Sequence, residues 1–292
     1  MQVRRVGAAY GWRWVVGGFR LLAARPLALL ALLVFDVFLL LLPSVLPFIG
    51  PLMPTLLTPV FGVGLMVAMR ETDRGGNPVP QMLFAAFGEA GGHAWRNLLI
   101  LGAFNAIATM VAVALSSIAD GGALLGSVTG MEGGEALDTG VGDTGDQAGA
   151  DDERGAGEPG IMLPRPSFAL LSFLLLLVPI QAASWYAPLF IAWHRIPVGK
   201  ALFFSLVAVW RNKAAFAAYI ASWVAAVFAI STVITWLTLM MGMTTITSML
   251  VFIMSLAILT AMYGSVWLSY RDVIEADANE DDATPPPPLR VE

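Results

Sequence analysis

Asp36 is the one acidic residue deep inside an apolar stretch of this chain. A carboxylate at the centre of a bilayer helix costs roughly 2.5–3.5 kcal/mol. It is therefore expected to face other helices or water. It reads as a proton or cation site, as a hydrogen-bonded packing residue, or as a neutral acid tolerated in a very apolar helix. No second charge at similar depth offers itself as a partner, but Asn105, Gln181, Ser184 and Thr232 are neutral candidates. A run further along carries Pro179, Gln181, Ser184, Trp185, Tyr186 and Pro188. Two prolines free carbonyls one turn back, and broken helices with polar centres bind substrates in transporters. Proline is also tolerated in ordinary membrane helices. The candidate intramembrane polar site is Asp36, Asn105, Gln181, Ser184 and Tyr186.

A second set is basic. Arg13, Arg20, Arg25, Arg96 and Arg211 lie where apolar runs begin, beside aromatic residues. Arginine there can reach lipid phosphates, while aromatic rings sit at headgroup depth.

Residues for catalysis are few. His93 and His194 are the only histidines, and there is no cysteine. No H-E-x-x-H, G-x-S-x-G, Walker or dinucleotide-binding pattern occurs. A membrane hydrolase needs paired carboxylates or a Ser–His pair at matching depth, and Asp36 alone supplies neither. Enzymatic activity, a cofactor and a bound metal are not expected. Asp143-x-x-Asp146 and Asp151-Asp152 offer oxygen ligands without the spacing of an EF-hand loop. A nucleic-acid footprint would need a basic face on a soluble domain, and none is present.

The elements that must position these residues are membrane spans. The chain is 58% hydrophobic and only 13% charged, where soluble domains carry about 25% charged residues. Six runs approach the roughly 20 apolar residues a span requires: 27–46, 48–69, 97–118, 168–193, 214–241 and 244–270. They are unbroken rather than alternating, which predicts helices and not a barrel. The fold class expected is an all-α membrane protein of six transmembrane helices. The basic N-terminus precedes an apolar run that ends in Pro43-Ser44-Val45-Leu46-Pro47 without a small-x-small site, so an uncleaved first span is expected.

Basic residues stay on the cytoplasmic side of short loops. With both termini inside, only Arg154 and Arg165 fall outside, within one long loop at 120–164. That loop is rich in Gly, Ala, Asp, Glu and Thr and cannot bury enough apolar area to order itself. Residues 1–271 are thus expected to form one membrane domain with this loop inserted. Residues 272–292 read as a disordered acidic, proline-rich tail.

Basic junctions recur at Arg25-Pro26-Leu27, Arg96-Asn97-Leu98 and Arg211-Asn212-Lys213, each after a short apolar or amphipathic stretch. Three apolar segments also close in similar fashion, at Arg70, Arg195 and Arg271. The chain therefore reads as three helical hairpins, each preceded by a short interfacial helix. In the fifth run Ala217, Ala221, Ala225 and Ala229 recur every four residues, a stripe for packing within the chain or in a dimer.

Val3-Arg4-Arg5-Val6, Gly11-Trp12-Arg13-Trp14, Gly18-Phe19-Arg20-Leu21 and Pro26-Leu27-Ala28-Leu29-Leu30 resemble an uncharacterised family of six-helix proteobacterial inner-membrane proteins. Trp185-Tyr186-Ala187-Pro188-Leu189 and Lys200-Ala201-Leu202-Phe203-Phe204-Ser205 fit that resemblance. The three-hairpin plan is also distantly similar to the membrane domain of some glycerophosphodiester phosphodiesterases, whose catalytic domain has no counterpart here. The resemblance implies a bacterial inner membrane and no particular activity. The functional expectation is a non-enzymatic scaffold that binds membrane lipids, a partner protein or a second copy. The alternative is a small permease using Asp36 and the proline-broken fourth span.

Overall fold

The computed structural model describes residues 3–47, 50–88, 94–119, 168–241 and 244–275. The loop expected at 120–164, His93 and the end of the tail lie outside the described residues.

Among the described residues every regular element is helical. The helices are α1 (Ala9–Ala24), α2 (Pro26–Leu41), α3 (Met53–Asp73), α4 (Ala94–Ala119), α5 (Phe168–Ser184), α6 (Ala187–His194), α7 (Val198–Arg211), α8 (Lys213–Met241) and α9 (Thr244–Tyr270). A 3-10 helix occupies Pro80–Phe87 and a π-helical turn follows α9 at Arg271–Glu275. Among the described residues six segments are long and apolar enough to cross a membrane: Pro26–Val45, Met53–Asp73, Ala94–Ser116, Phe173–His194, Lys213–Met240 and Thr247–Ile274. The second starts later than the apolar run predicts, because the proline-rich stretch before it forms 3-10 turns and Pro54 sits in the first turn of α3.

Residues Met1–Ile107 and Pro179–Glu292 form one compact unit and Ala108–Val178 a second. In the second, the described residues are the distal turns of α4 and the opening turns of α5, where the Ser116 hydroxyl donates to the Val113 carbonyl at 2.9 Å.

In the first unit the short helices follow one packing rule. The 3-10 helix ahead of the second hairpin lies on α3, which ends the first hairpin. Helix α7, ahead of the third hairpin, lies on α6, which ends the second. Helix α1, ahead of the first, lies on α9, which ends the third, and on α8. The order is cyclic, and the chain's beginning completes it.

Local sequence explains each contact. Helix α1 meets α8 and α9 through Gly11 and Gly18. A β-carbon at Gly11 would strike the backbone of Ala215 and Tyr219, and one at Gly18 the backbone of Ala261 and Ser265. Trp14, Val15 and Leu21 are buried on the same face. The middle element is a 3-10 helix, where side chains three apart eclipse. Leu83 and Ala86 are thereby buried together, while Phe84 and Phe87 both reach Phe61 of α3, at 6.0 and 6.4 Å between ring centroids. Gly64 of α3 lets the Leu83 backbone approach.

Of the two packing roles expected for the stripe Ala217, Ala221, Ala225 and Ala229, the one within the chain is not seen: all four are exposed, and α8 turns Phe216, Tyr219 and Trp223 inward. Beside the close backbone contact at Gly11, the rings of Phe216 and Tyr219 pack on Trp14, where alanines would bury less area. Residues 272–275, expected to belong to the tail, are ordered: Val273 and Ile274 are buried, and the Val273 carbonyl accepts from Arg4 N–H at 3.0 Å.

Candidate functional site at the arginine-bearing ends of the spans

Helix α1 carries Arg13 and Arg20 seven residues apart, two turns along one face. Its opposite face is committed to α8 and α9, so both guanidinium groups project away from that packing. They line a cleft of about 570 Å³ with Tyr10 and Trp14 of α1, Thr72 and Asp73 of α3, and Arg271 and Asp272 beyond α9.

The floor of this cleft is an ionic and aromatic cluster. Arg271 Nη1 donates to Asp73 Oδ2 at 2.8 Å, and Arg271 Nε and Nη2 reach Asp272 Oδ1 at 3.3 Å. Trp267 Nε1–H donates to Asp73 Oδ2 at 3.0 Å, and Trp14 Nε1–H to Asp272 Oδ2 at 3.0 Å. The Arg70 guanidinium lies 5.3 Å from the Trp193 ring and 5.9 Å from that of Trp267. His194 Nε2 and the Tyr270 hydroxyl are 2.8 Å apart. Partly exposed ion pairs of this kind contribute only about 0–1 kcal/mol each. Their structural effect is to fix Arg271 and both carboxylates. Arg13 and Arg20 have no ion pair among the described residues, and Arg13 rests over Tyr10 at 5.2 Å. With Arg271 already matched by two acids, these two arginines leave the cleft positive and open to an anion.

The other three predicted lipid-contact arginines lie elsewhere. Arg25 Nη2 reaches the Gly75 carbonyl at 3.4 Å, Arg96 sits over Trp95 at 5.4 Å, and Arg211 is exposed at the end of α7.

The predicted intramembrane residues divide as well. Ser184 Oγ donates to Asn105 Oδ1 at 2.6 Å. Both line a pocket of about 190 Å³ with Trp185 and Tyr263. Gln181 is exposed and Asp36 is buried, and neither lines that pocket. Asp36 is 2% exposed, one turn from the buried Leu32 and Leu33, and its Oδ1 has no hydrogen-bond partner. Tyr186 is fully buried and donates to Ser269 Oγ at 3.0 Å.

The fourth span does break, between α5 and α6. Its exposed polar backbone is closed by Ser205 of α7, which accepts from Tyr186 N–H at 2.9 Å and donates to the Ala182 carbonyl at 2.8 Å. One hydroxyl thus bridges the Tyr186 N–H and the Ala182 carbonyl, an i to i−4 pair that the break separates.

The chain shares 33% identity over 212 residues with a probable inner membrane protein of Burkholderia thailandensis, across 73% of this chain and 71% of that protein. The chain belongs to that protein's family. With six apolar helices it is a multi-pass inner-membrane protein. No family model matches the chain, and no solved structure matches it. In this family member the positive cleft is built from residues whose partnership is invisible along the chain: Trp14, Asp73, Trp267, Arg271 and Asp272. The recurring terminal Arg70, Arg195 and Arg271 marked the ends of three spans, which was the available signal.

Proposed function

We propose that the protein is a non-enzymatic inner-membrane scaffold that binds anionic lipid in the cleft between α1 and the end of α9. The observation that carries this reading is the pair Arg13 and Arg20, without ion pairs among the described residues, over a floor where Arg271 is held by Asp73 and Asp272, which leaves the cleft with a net positive charge. A phosphate there gains charge-assisted hydrogen bonds from two guanidinium groups without displacing an existing pair. Because α1 joins the first hairpin to the third, a lipid bridging Arg13 or Arg20 to Arg271 would also tighten that closure. In this reading the arginine-bearing ends and both termini are cytosolic, as the distribution of basic residues supports. The similarity to phosphodiesterase membrane domains is read as one of hairpin plan alone.

The test is a lipid titration of the purified protein in zwitterionic nanodiscs. Added phosphatidylglycerol is expected to raise the unfolding temperature. Arg13→Gln with Arg20→Gln is expected to abolish the rise, while Arg211→Gln leaves it. An equal rise in all variants rules the cleft out. Because the chain has no cysteine, single-cysteine labelling at Gly75 tests the orientation directly.

A small permease is the second reading, favoured by the Asn105–Ser184 pair beside the break in the fourth span. It requires that Asp36→Asn stop a flux while insertion and folding persist.

A further inference from the structure

The pocket of about 190 Å³ is formed by residues from four spans: Gly62 and Met66 of α3, Asn105 of α4, Ser184 and Trp185 at the break, and Tyr263 of α9. Apart from Met66, these positions lie eight to ten residues from Arg70, Arg96, His194 and Arg271. At 1.5 Å per residue that is about 12–15 Å from the arginine-bearing ends, close to half of a hydrocarbon core of about 30 Å.

The polar groups are neutral and their hydrogen-bonding capacity is unevenly spent. Asn105 Oδ1 is occupied by the Ser184 hydroxyl at 2.6 Å, and the Thr58 hydroxyl by the Pro54 carbonyl at 2.7 Å. Trp185 Nε1 is buried with no partner among the described residues. The Tyr263 hydroxyl makes no hydrogen bond to the described residues. Asn105 Nδ2 is the remaining donor of its amide. A buried donor without an acceptor is costly, and Trp185 Nε1 is one; the amide of Asn105 and the hydroxyl of Tyr263, both half-buried, border the same space. No charged residue lines it.

We propose that this pocket binds the carbonyl-bearing ring of a small neutral membrane-soluble compound of the quinone type. Three constraints select that class. With no counter-charge among the described lining residues, an ion here would bear its desolvation cost unpaired, which favours a neutral ligand. The surplus of N–H and O–H groups calls for an acceptor on the ligand. The volume equals that of about six water molecules at ~30 Å³ each, enough for one substituted ring and below the usual range for larger ligands. The remaining wall is apolar, from Met66, Leu189 and Val266, and suits the ring faces. The inference is independent of lipid binding at Arg13 and Arg20, which lie in a separate cleft.

The experiment measures equilibrium binding of a short-tailed benzoquinone to the intact protein in zwitterionic nanodiscs. An alkylbenzene of equal size serves as the comparison. Saturable quinone binding is expected, tighter than the alkylbenzene. Trp185→Phe and Tyr263→Phe are each expected to weaken it roughly fivefold or more, the loss of one donor. Asn105→Leu carries the same expectation should Trp185→Phe fail to fold, which a melting curve reveals. Arg13→Gln with Arg20→Gln should leave quinone binding unchanged. Non-saturable uptake, equal affinity for the alkylbenzene, or variants that bind as well as the parent would each overturn the proposal.

Discussion

The Trp14 indole N–H donates to the Asp272 carboxylate at 3.0 Å, across 258 positions of sequence. Trp14 is almost fully buried, packed against Phe216 and Tyr219 of α8. Asp272 in turn holds Arg271, which holds Asp73. One hydrogen bond therefore ties the first helix to the ionic cluster at the ends of α3 and α9. Trp14→Phe keeps an aromatic ring and removes the donor. It is expected to destabilise by about 1.5–3 kcal/mol, the range for a bond to a charged group. Thermal unfolding in detergent measures this. A variant as stable as the parent would show that α1 is held by packing alone.

Closure of α1 on α9 depends on backbone proximity. Gly18→Ala presses a methyl group into the carbonyl of Ala261, where no flexible side chain can yield. The cost expected is about 1–3 kcal/mol. Gly62→Ala is the internal comparison, because a β-carbon there meets nothing within 4 Å. It is expected to leave the unfolding temperature unchanged or slightly higher. Equal effects of the two variants would contradict the close approach.

Ser205→Ala strips the break in the fourth span of its bridge. Tyr186 N–H and the Ala182 carbonyl then lose their partner inside the bundle. Unsatisfied buried groups cost about 1–3 kcal/mol each, so the variant is expected among the most damaging single-atom deletions in the protein. Hydrogen exchange at Tyr186 should rise with it. Unaltered protection at that amide would mean another group takes over the bond.

Asn212 fastens the segment before α1. Its side chain accepts from Val6 N–H at 2.8 Å and donates to the Arg4 and Ala208 carbonyls at 3.0 Å. Asn212→Ala is expected to speed tryptic cleavage at Arg4 and Arg5 about tenfold, since cleavage follows the open population. Helix α7 should stay resistant.

Asp36→Leu tests what the buried carboxyl is for. Oδ1 is unpartnered among Leu32, Leu33 and the apolar cluster that includes Phe61 and Leu65. If Asp36 serves packing no better than an apolar residue, the variant gains stability, by about 1–3 kcal/mol. Such a gain, with a loss of phenotype, would assign Asp36 to function. A loss of stability would assign it to structure.

Sequence alone determined the class and the span plan. Length and polarity of a run decide whether it can cross a bilayer, and both are local properties. The recurrence of basic junctions likewise disclosed three hairpins with a short helix ahead of each. Asn105 and Ser184 were legible as candidates because polar groups are rare within apolar runs. Tertiary structure decided which candidates meet. It joined Asn105 to Ser184, set Gln181 outward, and buried Asp36 apart from both. It drew Arg13 and Arg20 into one cleft and left Arg25, Arg96 and Arg211 elsewhere. It also supplied Trp14, Asp73, Arg271 and Asp272, each unremarkable among the charged and aromatic residues that end any span. The physical reason is that helix formation is set within a few turns. Which faces touch is set by glycine gaps such as Gly11 and Gly18 and by rings such as Trp14 and Phe216, matched across hundreds of positions.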